Sequence, residues 1–277
     1  MSADDRFPIG LTAADLEFLV SIAAPETADK ARLKQIIVED EDFRNAFIED
    51  ARTIRKAVSD KDTFLKISPR LYFEILLRNV RKELTASSHT IEHGGPHKVA
   101  VFDAGEVVDL LSRKSVLLYL ADMLSSFMKV ESYSISYRVR EKLWRRIRFH
   151  DADVDSLIRD MELAGEEYRF PFYKRIADIC LFLVGIFPEY VRSSSRYPLS
   201  GEPRPRFFGW TRWTTEEYEE EGRKYYKLAS LHPMAQGYDL SEVFGFLHDS
   251  FHLASKPLHL IAENYLHRER PAFIGDK

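Results

Sequence analysis

The sequence predicts an all-α fold, a multi-helix bundle of about ten helices, because apolar residues recur every three or four positions along most of the chain. Capping residues stand where helices should begin, and prolines fall at helix starts or ends. Two short stretches break the pattern and leave room for one small two-stranded β ribbon.

Thr12 with Asp15 makes a capping-box start, followed by Leu16, Leu19, Val20 and Ala23 at helical spacing; Pro25 ends that helix. Residues 28–38 and 41–58 read as two helices, the second striped by Phe43, Phe47, Ala51, Ile54 and Val58. Ser68-Pro69 is a hydroxyl cap followed by proline at the first helical position. The helix it opens carries Leu71, Tyr72, Ile75, Leu76, Val80 and Leu84 and ends by Gly94-Gly95-Pro96. Segments 104–112 and 114–129 continue the helical theme. Lys98–Phe102 and Tyr133–Val139 are the two exceptions, the second alternating Tyr133, Ile135, Tyr137 and Val139 with polar residues. Pairing them with each other gives the expected ribbon. Helices resume at 140–149, 153–164 and 171–191. Thr214 with Glu217 and Asp239 with Glu242 cap two more, and a last helix covers 257–267.

Hydrophobic residues make up 45% of the chain and charged residues 30%, a balance that supports a packed core and excludes a disordered chain. The net charge of −4 argues against a surface built throughout for phosphate, while leaving room for a local basic patch. Cys180 is the only cysteine, so neither an intrachain disulfide nor a thiolate metal cluster can form. The longest apolar stretch, Ile179 to Phe187, is far short of the roughly 20 residues that cross a bilayer. The start MSADDRFPIG lacks the basic and apolar parts of a signal peptide, so the expectation is a cytoplasmic protein with no membrane contact. Gly222, Tyr225, Tyr226 and Ala229 resemble half a tetratricopeptide unit, but no second copy follows at the period of about 34 residues. A solenoid is excluded.

Residues 192–213 hold five prolines or glycines and no helix or strand signal. The expected organisation is a main helical domain at 1–191, this loop at 192–213, and a helical segment at 214–277 packed on the main domain. The loop carries Arg192, Arg196, Arg204, Arg206 and Arg212, interleaved with Tyr197, Phe207, Phe208, Trp210 and Trp213. Between Arg138 and Arg148, which includes Arg145, six positive charges face one negative. Arginine with exposed aromatics suits a protein interface, where these residues dominate binding energy. It also suits single-stranded nucleic acid, where charges track phosphates and rings stack on bases. The bland alternative is internal pairing with the acidic run Glu216, Glu217, Glu219, Glu220 and Glu221. The candidate binding residues are Arg145, Arg206, Phe207, Trp210, Arg212 and Trp213.

Nine histidines placed at random give about 0.3 pairs at four-residue spacing, and the sequence has three, a spacing that shares a helix face. His89-Thr90-Ile91-Glu92-His93 resembles the H-x-x-E-H motif of the inverted zincins, over five residues only. The resemblance implies His89 and His93 as zinc ligands and Glu92 as the group that polarises the attacking water. His248 and His252 form a second pair, on a helix striped by Leu240, Val243, Phe244, Leu247 and Phe251. The candidate metal ligands are therefore His89, Glu92, His93, His248 and His252, with zinc, iron or manganese as the ion.

No G-x-S-x-G elbow, phosphate-binding glycine loop or dinucleotide fingerprint is present. Cys180 lies in an apolar helix, where a thiol is inert packing. The leading expectation is a helical binding or adaptor protein acting through its basic-aromatic surface on a protein partner or another copy of itself. A metal-dependent helical enzyme is second and a nucleic-acid-binding regulator third.

Overall fold

The computed structural model describes residues 10–60, 62–87, 90–94, 97–101, 103–128, 133–140, 143–149, 154–195 and 213–266. The chain divides into two compact units, Met1–Met128 and Lys129–Lys277. That division falls upstream of the expected boundary at 192–213. Helices on either side of that loop pack on each other, which joins them in one unit.

In the first unit the helices are α1 Ala13–Ala23, α2 Lys30–Glu39, α3 Glu41–Ile48, α4 Ala51–Ser59, α5 Thr63–Lys66 and α6 Pro69–Thr85. The hairpin β1 Thr90–Gly94 and β2 His97–Val101 follows, then α7 Ala104–Ser112 and α8 Lys114–Met128. The capping box at α1 forms as the spacing predicts, with Thr12 N–H donating to Asp15 Oδ2 at 2.8 Å and Asp15 N–H to Thr12 Oγ1 at 3.1 Å. Asp15 Oδ1 also accepts from Ser68 N–H at 2.7 Å, so one buried carboxylate ties the start of α1 to the start of α6. Helix α6 is the spine: α4, α7 and α8 pack on it, and Leu71, Ile75, Leu76, Leu77 and Val80 are fully buried.

The second unit opens with the hairpin β3 Tyr133–Arg140 and β4 Leu143–Phe149. It continues through α9 Val154–Leu163, a 3-10 turn Glu166–Tyr168, α10 Phe170–Ile186, α11 Pro188–Ser195, α12 Thr215–Leu231 and α13 Pro233–Gly237. Helices α14 Ser241–Asp249 and α15 Phe251–Ile261 follow, and the chain then widens into a π turn, Ala262–Leu266. Helix α10 is the spine here, carrying α9, α11, α12 and α15, with α14 packed on α12. The approach of α12 depends on Gly222: a Cβ there would lie 2.4 Å from the Phe251 ring and 2.9 Å from Cys180 Cβ. Only glycine lets these backbones come so close.

The chain is predominantly helical, and several details depart from expectation. Fifteen α-helices occur among the described residues rather than about ten, because long predicted segments break at local caps. The 41–58 segment splits where the Asp50 carboxylate accepts Arg52 N–H at 2.8 Å and starts a new helix. The 171–191 segment splits before Pro188, which cannot donate to the preceding turn. Asp239 does not cap α14; it sits at φ 55° just after α13, a conformation aspartate tolerates. The last helix starts at Phe251 instead of 257, with Pro257 inside it.

The two strand signals do not pair with each other. Each forms a hairpin with its nearest neighbour, which has far less chain to close. Within residues 140–149, expected as a helix, Leu143–Phe149 forms β4.

Candidate functional site

The sequence marks three candidate regions, and the structure treats each differently. Arg145 lies on β4, opposite Tyr137. The ribbon register also pairs Ser134 with Arg148, Ser136 with Arg146 and Arg138 with Trp144. Strand alternation assigns these three pairs to one face, and Tyr133–Phe149, Ile135–Ile147 and Tyr137–Arg145 to the other. By position along the strands, Arg138, Arg146 and Arg148 therefore share a face with Ser134, Ser136 and Trp144. A helical reading of 140–149 could not separate them this way, so Arg138, Arg146 and Arg148 were missed as a set. Between Arg138 and Arg140 the register shifts, and Arg140 pairs with Leu143.

Arg206, Phe207, Trp210 and Arg212 lie outside the described residues. Trp213, expected to face a partner, is 7% exposed and packs against Tyr218 with ring centroids 5.3 Å apart. Its indole belongs to the core beside the first turn of α12, because leaving so large an apolar ring in water costs more than burying it.

Three carboxylates of the acidic run that could have neutralised the basic segments have partners nearby. Glu217 closes the capping box of α12, accepting from Thr214 N–H at 2.8 Å. Glu221 pairs with Lys224 at 2.8 Å. Glu219 lies 3.7 Å from His252, and the hydrogen bond and charge of that imidazole hold its carboxyl below the ordinary carboxylate range.

His89 lies outside the described residues, and Glu92 and His93 stand on β1, not on a helix. The two described residues of the zincin-like motif, Glu92 and His93, therefore do not lie on a helix face. His248 and His252 also fail to share a helix, because Ser250 separates α14 from α15. His248 Nδ1–H donates to the Arg223 carbonyl at 2.9 Å, and Arg223 Nε–H donates to the His248 carbonyl at 3.1 Å. This reciprocal pair clamps α14 to α12. Among the described residues, no group of three or more histidine, cysteine, aspartate or glutamate residues is gathered to hold a metal ion.

Cys180 is fully buried, and burial pushes its thiol well above the ordinary range, so it is chemically quiet. Asp178, two residues earlier in the same spine, is 1% exposed; Lys174 Nζ donates to it at 2.7 Å and Tyr226 O–H at 3.0 Å. The four-residue spacing of Lys174 and Asp178 was the sequence signal for that pair.

No helix among the described residues is long and apolar enough to cross a membrane. Comparison of the chain with protein-family models, with curated proteins and with solved structures finds no match.

Proposed function

We propose that this is a binding or adaptor protein that engages an acidic protein segment through the β3–β4 ribbon together with the basic-aromatic segment 196–212. The observation that carries the reading is the ribbon register, which puts Arg138, Arg146 and Arg148 on one face while Glu217, Glu219 and Glu221 have partners around α12. Arginine suits this role because its planar fork meets a carboxylate with two parallel hydrogen bonds.

The test is fluorescence anisotropy on the full chain with a labelled peptide of alternating glutamate and aspartate. Binding should weaken as salt rises, because exposed charge pairs are screened. Replacing Arg138, Arg146 and Arg148 together by glutamate should weaken it at least roughly tenfold, with an unchanged circular dichroism spectrum. Loss of helix in that variant would be met by Arg146→Gln alone, which removes a single charge.

A second reading is favoured by shape. A two-stranded ribbon fits the DNA major groove, which is about 12 Å wide. Labelled duplex DNA binding with a steep salt slope, alongside an inert acidic peptide, would move the protein to nucleic-acid recognition. If neither probe binds, the proposal fails.

A further inference from the structure

A second basic feature lies in the first unit, where α4 and the C-terminal half of α6 border a cleft of about 430 Å³. Its walls are Glu49, Ile54, Arg78, Arg81, Lys82, Thr85 and Ala86. An adjoining cleft of about 300 Å³ shares Ile54 and Lys82 and adds Arg55 and Val58. Together these volumes lie within the range that holds a small organic molecule.

Arg78 is 7% exposed and is locked before any ligand arrives. Its Nε and Nη2 donate to Glu74 Oε1 at 3.1 and 2.8 Å, Nη2 also donates to Asn45 Oδ1 at 2.8 Å, and Nη1 reaches Glu49 Oε1 at 2.6 Å. Arg81 Nη2 donates to the same Glu49 oxygen at 2.7 Å. One carboxylate oxygen thus accepts from two guanidinium groups at once, while Lys82 is exposed on the same wall.

Glu49 is an awkward resident. It is the C-cap residue of α3, where the helix dipole disfavours a negative charge, and its side chain is 41% exposed. Glu74 already neutralises Arg78 from the buried side. Arg81 shares the half-exposed Glu49 with Arg78, Lys82 lines the same cleft, and Glu83 borders the adjoining one. Phosphate carries more acceptor oxygens and more charge than Glu49 and could engage both arginines and the lysine.

We infer that the α4–α6 cleft is a binding site for a small phosphate monoester, in which Glu49 occupies the phosphate position when no ligand is bound. The phosphate meets Arg78, Arg81 and Lys82, and the apolar body lies along Ile54 and Val58. This site is independent of the β3–β4 ribbon.

Titration of the full chain with phenyl phosphate, followed by isothermal calorimetry at low ionic strength, tests it, with benzyl alcohol as the uncharged control. Glu49→Gln should tighten binding roughly tenfold, about the worth of one charge-assisted hydrogen bond no longer contested. Lys82→Gln, a change at an exposed position, should weaken it by a similar factor. The opposed signs exclude a merely structural network, in which both changes would alter stability and neither would alter affinity. Inorganic phosphate separates the head-group contribution from that of the apolar wall, and should bind more weakly than phenyl phosphate. Absence of binding to both wild type and Glu49→Gln at millimolar phenyl phosphate would overturn the inference. So would binding that ignores both substitutions.

Discussion

Both units are built on a 17-residue helix, and the two spines bury charge by different means. Helix α6 carries a polar seam: Arg70 reaches Asp122 at 2.6 Å and Glu74 at 3.6 Å, Glu74 holds Arg78, and Arg78 reaches Glu49 at the surface. Helix α10 buries one carboxylate, Asp178, held by Lys174 and Tyr226, and packs elsewhere so closely on its neighbours that α12 requires Gly222 beside Phe251 and Cys180. A buried ion pair contributes little net stability but is costly to break, because the remaining charge cannot recover its water. Tight apolar packing is costly to overfill. The two units should therefore fail under different substitutions.

The largest effect is expected in α6. Glu74→Ala removes the carboxylate that Arg78 meets through two nitrogens in a site only 7% exposed, and should cost about 3 kcal/mol in chemical denaturation. A loss below about 1 kcal/mol would show the seam to be surface-like. The packing counterpart, Gly222→Ala, puts a methyl group 2.4 Å from the Phe251 ring and should cost about 2 kcal/mol as α12 or Phe251 shifts. An unchanged melting temperature there would mean that α12 is less closely seated than its geometry states. Tyr226→Phe removes one hydrogen-bond donor to Asp178 while Lys174 remains, so its cost should be about 1 kcal/mol.

The smallest effect is electrostatic. Glu219 has a folded pKa below its ordinary value of 4.5, so its pairing with His252 contributes stability above that pH. The contribution should disappear as pH falls through the lower folded value. Acid titration of melting temperature should show a slight drop below about pH 4.5 that Glu219→Gln lacks. Equal acid sensitivity in both proteins would remove the pair from the account.

The legible parts of the sequence were those governed by local chemistry. Thr12 with Asp15, Ser68 with Pro69, and Thr214 with Glu217 mark helix starts that the structure reproduces, because a cap needs only residues three positions apart. Breaks at Asp50, Phe187 and Ser250 were missed because apolar stripes run through them in sequence while the backbone turns. Residues 140–149 were misread for a related reason: Leu143, Trp144 and Ile147 match helical spacing, and the competing pairing with Tyr133–Arg140 shows only when both strands are aligned. Of the candidate residues, Trp213 carried the right apolar signal with the wrong meaning, since size alone does not say whether a ring faces core or partner. The histidine spacing misled because it presumes a helix, and neither pair lies on a single one. The α4–α6 cleft left one trace, the i, i+4 pair Glu74–Arg78; Glu49 and Arg81 join it only through tertiary packing.

The binding role proposed for the β3–β4 ribbon is tested most directly by hydrogen–deuterium exchange of the full chain with and without the acidic peptide. The account predicts slowed amide exchange in residues 133–149 at saturating peptide, with α6 and α10 unchanged and the protection lost at high salt. Saturable peptide binding with unaltered exchange in that ribbon would contradict it.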